Sequence, residues 1–131
     1  MIIDTSFLID LLKGKDQKVL KKAEELDRKL IMKGVSSVSV MELWRGALRS
    51  LSQDKERAKV DALLRSVIVF SFTEESGKKA AEIETELLKE GKMIDLEDIM
   101  IAATALTKNQ SVLTKNRKHF ERVHELELEA C

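Results

Sequence analysis

Met1-Ile2-Ile3-Asp4-Thr5-Ser6-Phe7-Leu8-Ile9-Asp10-Leu11-Leu12-Lys13-Gly14 holds the signal on which the fold reading turns. Met1 to Ile3 is a short apolar run stopped by Asp4 and Thr5, and it reads as a strand. From Ser6 to Leu12 the residues suit an amphipathic helix, and Gly14 stands just past its end, where a left-handed residue closes a helix. A strand running straight into a helix is half of an α/β unit, and the chain downstream repeats the alternation.

A second helix is expected over about Asp16 to Met32, with Val19, Leu20, Ala23, Leu26 and Leu30 on one face and Gly34 ending it. Val35 to Val38 reads as a second strand, followed by helices over Ser39 to Leu51 and Gln53 to Arg65. Val67 to Phe72, rich in β-branched and aromatic residues, reads as a buried strand. Thr73 caps a long helix to Lys89, ended by Gly91, whose Lys/Glu-rich surface reads as a solvent-facing outer side. Asp95 to Thr107 forms the next helix, Ser111 to Leu113 a strand and Asn116 to Val123 a short helix. Glu125 to Leu128 alternates as an edge strand. Strands separated by helices imply a central, mainly parallel sheet of four or five short strands with helices on both faces. No repeat or linker interrupts the pattern, so residues 1–131 are expected to form one domain.

At 131 residues the chain can bury one core without staples, and 44% hydrophobic with 35% charged residues is an ordinary globular balance. Lys plus Arg equals Asp plus Glu at 23 each, so the protein as a whole exerts no strong pull on nucleic acid. A polyanionic substrate would need a local basic patch or bridging cations. The one cysteine, Cys131, excludes a disulfide framework and suits a reducing cytoplasm. The N-terminus lacks the order of a signal peptide, and the longest apolar run, around Ile99 to Leu106, is too short to span a membrane.

Open α/β sheets bind ligands beyond the carboxyl ends of their strands. Asp4 follows the first predicted strand there, Glu42 lies in the first helical turn after the second, and Asn116 follows the fourth. Asp98 sits in the first turn of a helix that is apolar almost all round. Each acid also has a plain structural reading. Asp95 and Asp98, three apart, fit a cap and its capping box, and Ser39-Val40-Met41-Glu42 matches the S-x-x-E box. Asp4 is harder to explain in that way, because it ends a buried strand with no basic neighbour in sequence. Gathered together, such acids would repel by roughly 4 kcal/mol per pair at about 4 Å and an effective dielectric near 20. They would need protons or cations, and an oxygen-only ligand set favours Mg²⁺ or Mn²⁺ over zinc.

Four stretches carry a family resemblance: Met1 to Asp10, Ser39 to Gly46 (Ser-Val-Met-Glu-Leu-Trp-Arg-Gly), Gly91 to Ala103 and Val112 to Phe120. In content and order the sequence resembles a PIN-domain ribonuclease, specifically the toxin subunit of VapBC toxin–antitoxin pairs. The resemblance implies a metal-dependent hydrolysis of RNA phosphodiester bonds, with Asp4, Glu42 and Asp98 as metal-binding acids. The fourth family position, often Asp, falls on Asn116, which keeps an oxygen ligand and loses a charge. Asp95 stands where many members have Gly; it reads first as the cap and second as an extra ligand. The resemblance also implies a homodimer, with the helix faces around Leu43 to Leu64 as its interface, and an antitoxin protein that blocks the acidic pocket. Two alternatives stay open: a non-catalytic RNA- or protein-binding member of this fold, and a receiver-like Mg²⁺-binding phosphoacceptor. The third strand runs into Ser71-Phe72-Thr73 without the Asp a receiver needs.

Other residues draw plainer readings. His119 and His124 are five apart, the wrong spacing for a zinc pair on a helix. Trp44 fits a helix face with Leu43, Ala47 and Leu48, in the core or a subunit interface. Arg45, Lys115, Arg117 and Lys118 lie near the acids in sequence, where a solvated surface role competes with gripping phosphates. Cys131 reads as incidental.

Overall fold

A computed structural model describes residues 1–131. Five short strands, β1 (Ile2–Ile3), β2 (Gly34–Ser36), β3 (Ile68–Phe70), β4 (Val112–Leu113) and β5 (Leu128–Glu129), form one sheet in the order β3-β2-β1-β4-β5. Every pairing is parallel. Helices α1 (Thr5–Lys13), α2 (Gln17–Arg28), α3 (Ser37–Leu48), α4 (Gln53–Arg65), α5 (Glu74–Glu90), α6 (Leu96–Thr107) and α7 (Arg117–Phe120) make the connections. No helix is long and apolar enough to cross a membrane.

Two-residue strands suffice because alternation sends neighbouring side chains to opposite faces. Ile2 and its register partner Val112 join a core with α5, α6 and Phe120. Ile3 and its partner Leu113 join a second core with Phe7, Leu8, Val19, Val35 and Val60. Helices thus cover both faces, as the α/β pattern requires. Phe7 and Phe120 are fully buried, and each contributes about 1.5–3 kcal/mol through burial. Trp44 lies partly buried against the second core.

Several expectations about individual elements are corrected. Helix α2 stops at Arg28, and the chain turns through Leu30 at φ 53, so Gly34 does not end it. Gly34 instead opens β2, where a Cβ would overlap the Phe70 ring and approach the Met1 carbonyl oxygen to 3.0 Å. Strand β2 ends at Ser36 rather than Val38, because the Ser36 hydroxyl caps α3 by accepting from the Val38 amide at 3.1 Å. Strand β3 is not a buried central strand. It is the sheet edge, with Ile68 and Val69 exposed by 51% and 43%. Helix α5 is more than an outer face: Ser76, Ala80, Ile83 and Leu87 form a buried stripe. Strand β5 is the expected edge strand, on the opposite side of the sheet, but it lies at Leu128–Glu129 and not over Glu125 to Leu128.

Candidate functional site

β1 stands at the centre of the sheet, and its chain exits into α1 at Asp4, which is 3% exposed. Asp4 occupies the N-cap position of α1 without capping it. Its Oδ2 accepts instead from the Ser6 hydroxyl at 2.6 Å and from the Thr114 hydroxyl at 2.8 Å. Thr114 lies just beyond β4, and its Oγ1 also accepts from the Asn116 amide at 2.8 Å. The exits of adjacent strands β1 and β4 are therefore bonded to each other through the acid.

Glu42 projects from α3 on the other side of Asp4. The capping box expected of Ser39 and Glu42 does not form, because α3 begins at Ser37, ahead of both. Ser39 is fully buried and lies 2.7 Å from the Thr5 hydroxyl, which donates at 2.7 Å to Glu42 Oε1. Thr5 has one proton, spent on the carboxylate, so Ser39 donates to Thr5. Burial pushes the Glu42 carboxyl above the usual carboxylate range against the Thr5 hydrogen bond, and the charges of Glu97, Asp4 and Asp98 push it further.

Asp98 lies in the first turn of α6, but it closes no capping box either, since the Asp95 side chain makes no capping bond. Its Oδ2 lies 2.9 Å from His119 Nδ1. Burial raises the Asp98 carboxyl against the opposing His119 hydrogen bond, and Asp4 and Asp95 add to the rise. Asp4, Glu42 and Asp98 come from three distant segments, yet Asp4 acts on both other carboxyls. None of the ion pairs involves Asp4 or Glu42, and Asp98 has only the His119 imidazole. Burying anionic groups without basic partners is costly, and a cation is the remedy that the donor set fits. Asp95, Asp98 and His119 each offer a ligand atom, and these atoms lie within 4.8 Å of one another.

A PIN-domain family model matches residues 1–126. The chain belongs to the PIN-domain family. Within it, the chain is 33% identical over 128 residues to ribonuclease VapC1 of Methanocaldococcus jannaschii, covering 98% of this chain and 84% of the relative. It is 29% identical over 128 residues to ribonuclease VapC2 of Haemophilus influenzae, covering 98% and 95%. Its fold superposes on that in the crystal structure of VapBC2 from Rickettsia felis, bound to a DNA fragment from their promoter. That match has a TM-score of 0.89 and 26% identity over 98% of this chain and 96% of the other. VapC is thus the group of PIN domains to which this chain is kin, and the receiver-like alternative falls with that kinship.

In this PIN domain the hydroxyls of Thr5, Ser6, Ser39 and Thr114 hold the acids, and sequence reasoning singled out none of them for that task. The spacing of His119 from His124 argues against a zinc pair, but its spacing from Asn116 carries a contact. Asn116 and His119 are three apart, and the structure puts Asn116 Nδ2 2.8 Å from His119 Nδ1. Lys115 is not free to grip phosphate: its ammonium reaches Asp10 at 2.7 Å and Asp16 at 2.5 Å. Arg117 pairs with Glu121 at 3.3 Å. Beside Glu42, a groove of about 440 Å³ runs between α1, α3 and α4. Ile9, Leu12, Ala47 and Val60 line it together with Lys13, Lys59 and Glu56, the last two paired at 3.5 Å.

Proposed function

We propose that this chain is a divalent-metal-dependent ribonuclease, the toxin of a toxin–antitoxin pair, with Asp4, Glu42 and Asp98 as its metal-holding acids. One observation carries the reading. Three acids from separate segments share the carboxyl edge of a parallel sheet, and no Lys or Arg neutralises them. Asn116 adds a neutral oxygen ligand on the β4 side, which suits one strongly held ion better than two. Mg²⁺ or Mn²⁺ fits a set built on carboxylate oxygens.

A bound divalent ion supplies Lewis acidity, polarising the scissile phosphate and an attacking water. The chain's own residues supply placement. Thr114 and Ser6 fix the Asp4 carboxylate through Oδ2, and Thr5 fixes Glu42 through Oε1. Glu42 Oε2, the carboxylate oxygen that Thr5 leaves free, would receive the proton of the attacking water. Of the four basic residues near the acids in sequence, Arg45 and Lys118 form no ion pair and are free to meet the RNA backbone.

The VapC relatives are ribonucleases by name, and the matched crystal structure is of a VapBC pair. An antitoxin segment seated beside Glu42 would cover the acids, and the apolar side chains of the groove suit a helix with an apolar stripe. Pairing of two copies through α3 and α4 belongs to the same reading.

RNA cleavage by the purified protein tests it. Activity is expected with Mg²⁺ or Mn²⁺, none in chelator, and none from Asp4→Asn at unchanged far-UV circular dichroism. Cleavage that persists in chelator, or in the variant, removes the metal or Asp4 from the mechanism.

A further inference from the structure

We propose that His119 is a nitrogen ligand of the metal, bound through Nδ1 beside Asp98 Oδ2 and the side-chain oxygen of Asn116. The proposal rests on the metal-dependent reading above and adds to it a donor of a different chemical kind.

Nδ1 is the crowded atom. It lies 2.9 Å from Asp98 Oδ2 and 2.8 Å from Asn116 Nδ2. A ring nitrogen offers one N–H or one lone pair, never both. With a proton on Nδ1, Asp98 is satisfied and the Asn116 amide N–H faces another donor. Without it, Asn116 is satisfied and two acceptors face each other at 2.9 Å. Neither state serves both contacts with the amide in this orientation. Turning the amide over, which exchanges nearly indistinguishable atoms, brings Oδ1 to the ring instead. With Nδ1 unprotonated, three lone-pair donors, Nδ1, Oδ2 and Oδ1, then face one another around a space that a cation fills. A protonated Nδ1 would instead share its hydrogen between the two oxygens, and the nitrogen coupling measured below separates the two states. Neighbouring ligands on an octahedral ion with bonds of about 2.1 Å stand roughly 3 Å apart, close to the two spacings of 2.9 and 2.8 Å from Nδ1.

The surroundings agree. Asp95 adds a carboxylate whose ligand atom lies within 4.8 Å of those of Asp98 and His119, and it is not engaged in capping. Fully buried Phe120 anchors α7, so His119 is carried on a fixed turn. Asn at position 116 and His at 119 together replace a charged oxygen ligand by a neutral oxygen and a nitrogen. Imidazole binds Mn²⁺ and later transition ions better than Mg²⁺, so the site should discriminate in their favour.

The test is Mn²⁺ binding by calorimetry, with electron spin-echo measurements on the bound Mn²⁺ to detect a directly coordinated ¹⁴N. The wild type should show imidazole nitrogen coupling. His119→Gln should lose that coupling and weaken Mn²⁺ binding by about tenfold or more, with a smaller effect on Mg²⁺. His124→Gln should keep both. If the wild type binds Mn²⁺ without nitrogen coupling, His119 only hydrogen-bonds Asp98 and this proposal is overturned, while the function proposed above survives. If neither ion binds the wild type, that function fails first. The wild-type spectrum decides even where His119→Gln does not fold.

Discussion

The Thr114 hydroxyl donates to Asp4 Oδ2 across 2.8 Å, joining residues 110 apart in sequence. Both side chains are buried, so the bond is shielded from water and fixes one carboxylate oxygen. Thr114→Val keeps the shape and removes the donor. It should lower stability by about 1–3 kcal/mol in urea denaturation and reduce RNA cleavage as Asp4 loses its orientation. Thr114→Ser should restore most of both. Full activity in Thr114→Val would mean that Ser6 alone positions Asp4.

Glu42 gives a prediction in the opposite direction for stability. Its carboxyl is raised by burial and by neighbouring charges, so the folded protein holds that proton more tightly than the unfolded chain does. As pH rises through the window from the ordinary glutamate value to the raised one, the metal-free fold loses stability. Glu42→Gln should therefore raise the Tm in chelator at pH 7 by about 2–4 °C, and the gain should shrink as pH falls into that window. Cleavage should be lost at the same time. An unchanged or lowered Tm would mean that the Thr5 hydrogen bond outweighs the burial and repulsion.

Gly34 is a position of close approach. A Cβ there meets the Phe70 ring and the Met1 carbonyl oxygen, on both sides of β2. Gly34→Ala should cost about 1–3 kcal/mol by chemical denaturation, as overpacking does. Phe70→Leu in the same chain should recover part of that loss, and a neutral Gly34→Ala would show the sheet edge yielding freely.

The exposed pair His124–Glu90, 2.6 Å apart, sets a pH dependence away from the acids. The Glu90 hydrogen bond raises the His124 imidazole above its ordinary 6.5, and the same bond lowers Glu90. The stability His124 contributes is thus fully present below pH 6.5 and fades as pH climbs through the raised value. Glu90 contributes above the ordinary glutamate range and loses its share as pH falls through its lowered value. In Glu90→Gln the His124 titration followed by NMR should return toward 6.5, and a titration that stays put would assign the shift elsewhere.

Much of this was legible in the sequence because hydrophobic order is local. The runs at Ile2–Ile3 and Val112–Leu113 announced strands, and the apolar stretch Ile99 to Leu106 announced the buried helix α6. Asp4, Glu42 and Asn116 stand out by following strands, whereas Asp98 does not and is singled out by the family resemblance. What could not be read was sheet order, which depends on packing between distant segments. Val67 to Phe72 has the composition of an interior strand and nonetheless forms the edge. The hydroxyl bonds of Thr5 and Thr114 span 37 and 110 residues, so no local pattern encodes them. The Ser39–Glu42 box fails because α3 is capped three residues early, by Ser36, which turns Ser39 into a buried support for Thr5. At α6, by contrast, Asp95 does take the cap position, and its side chain makes no capping bond.

The placement of β1 has a consequence for biosynthesis. The first strand to leave the ribosome is the middle one, and its two neighbours are made some thirty and one hundred and ten residues later. Until Val112 to Asn116 exist, Asp4 has neither a strand on that side nor the hydroxyl that orients it. A chain translated only as far as its middle therefore lacks the strand and the hydroxyl that hold Asp4 in place, so the proposed metal site cannot form before β4 is made.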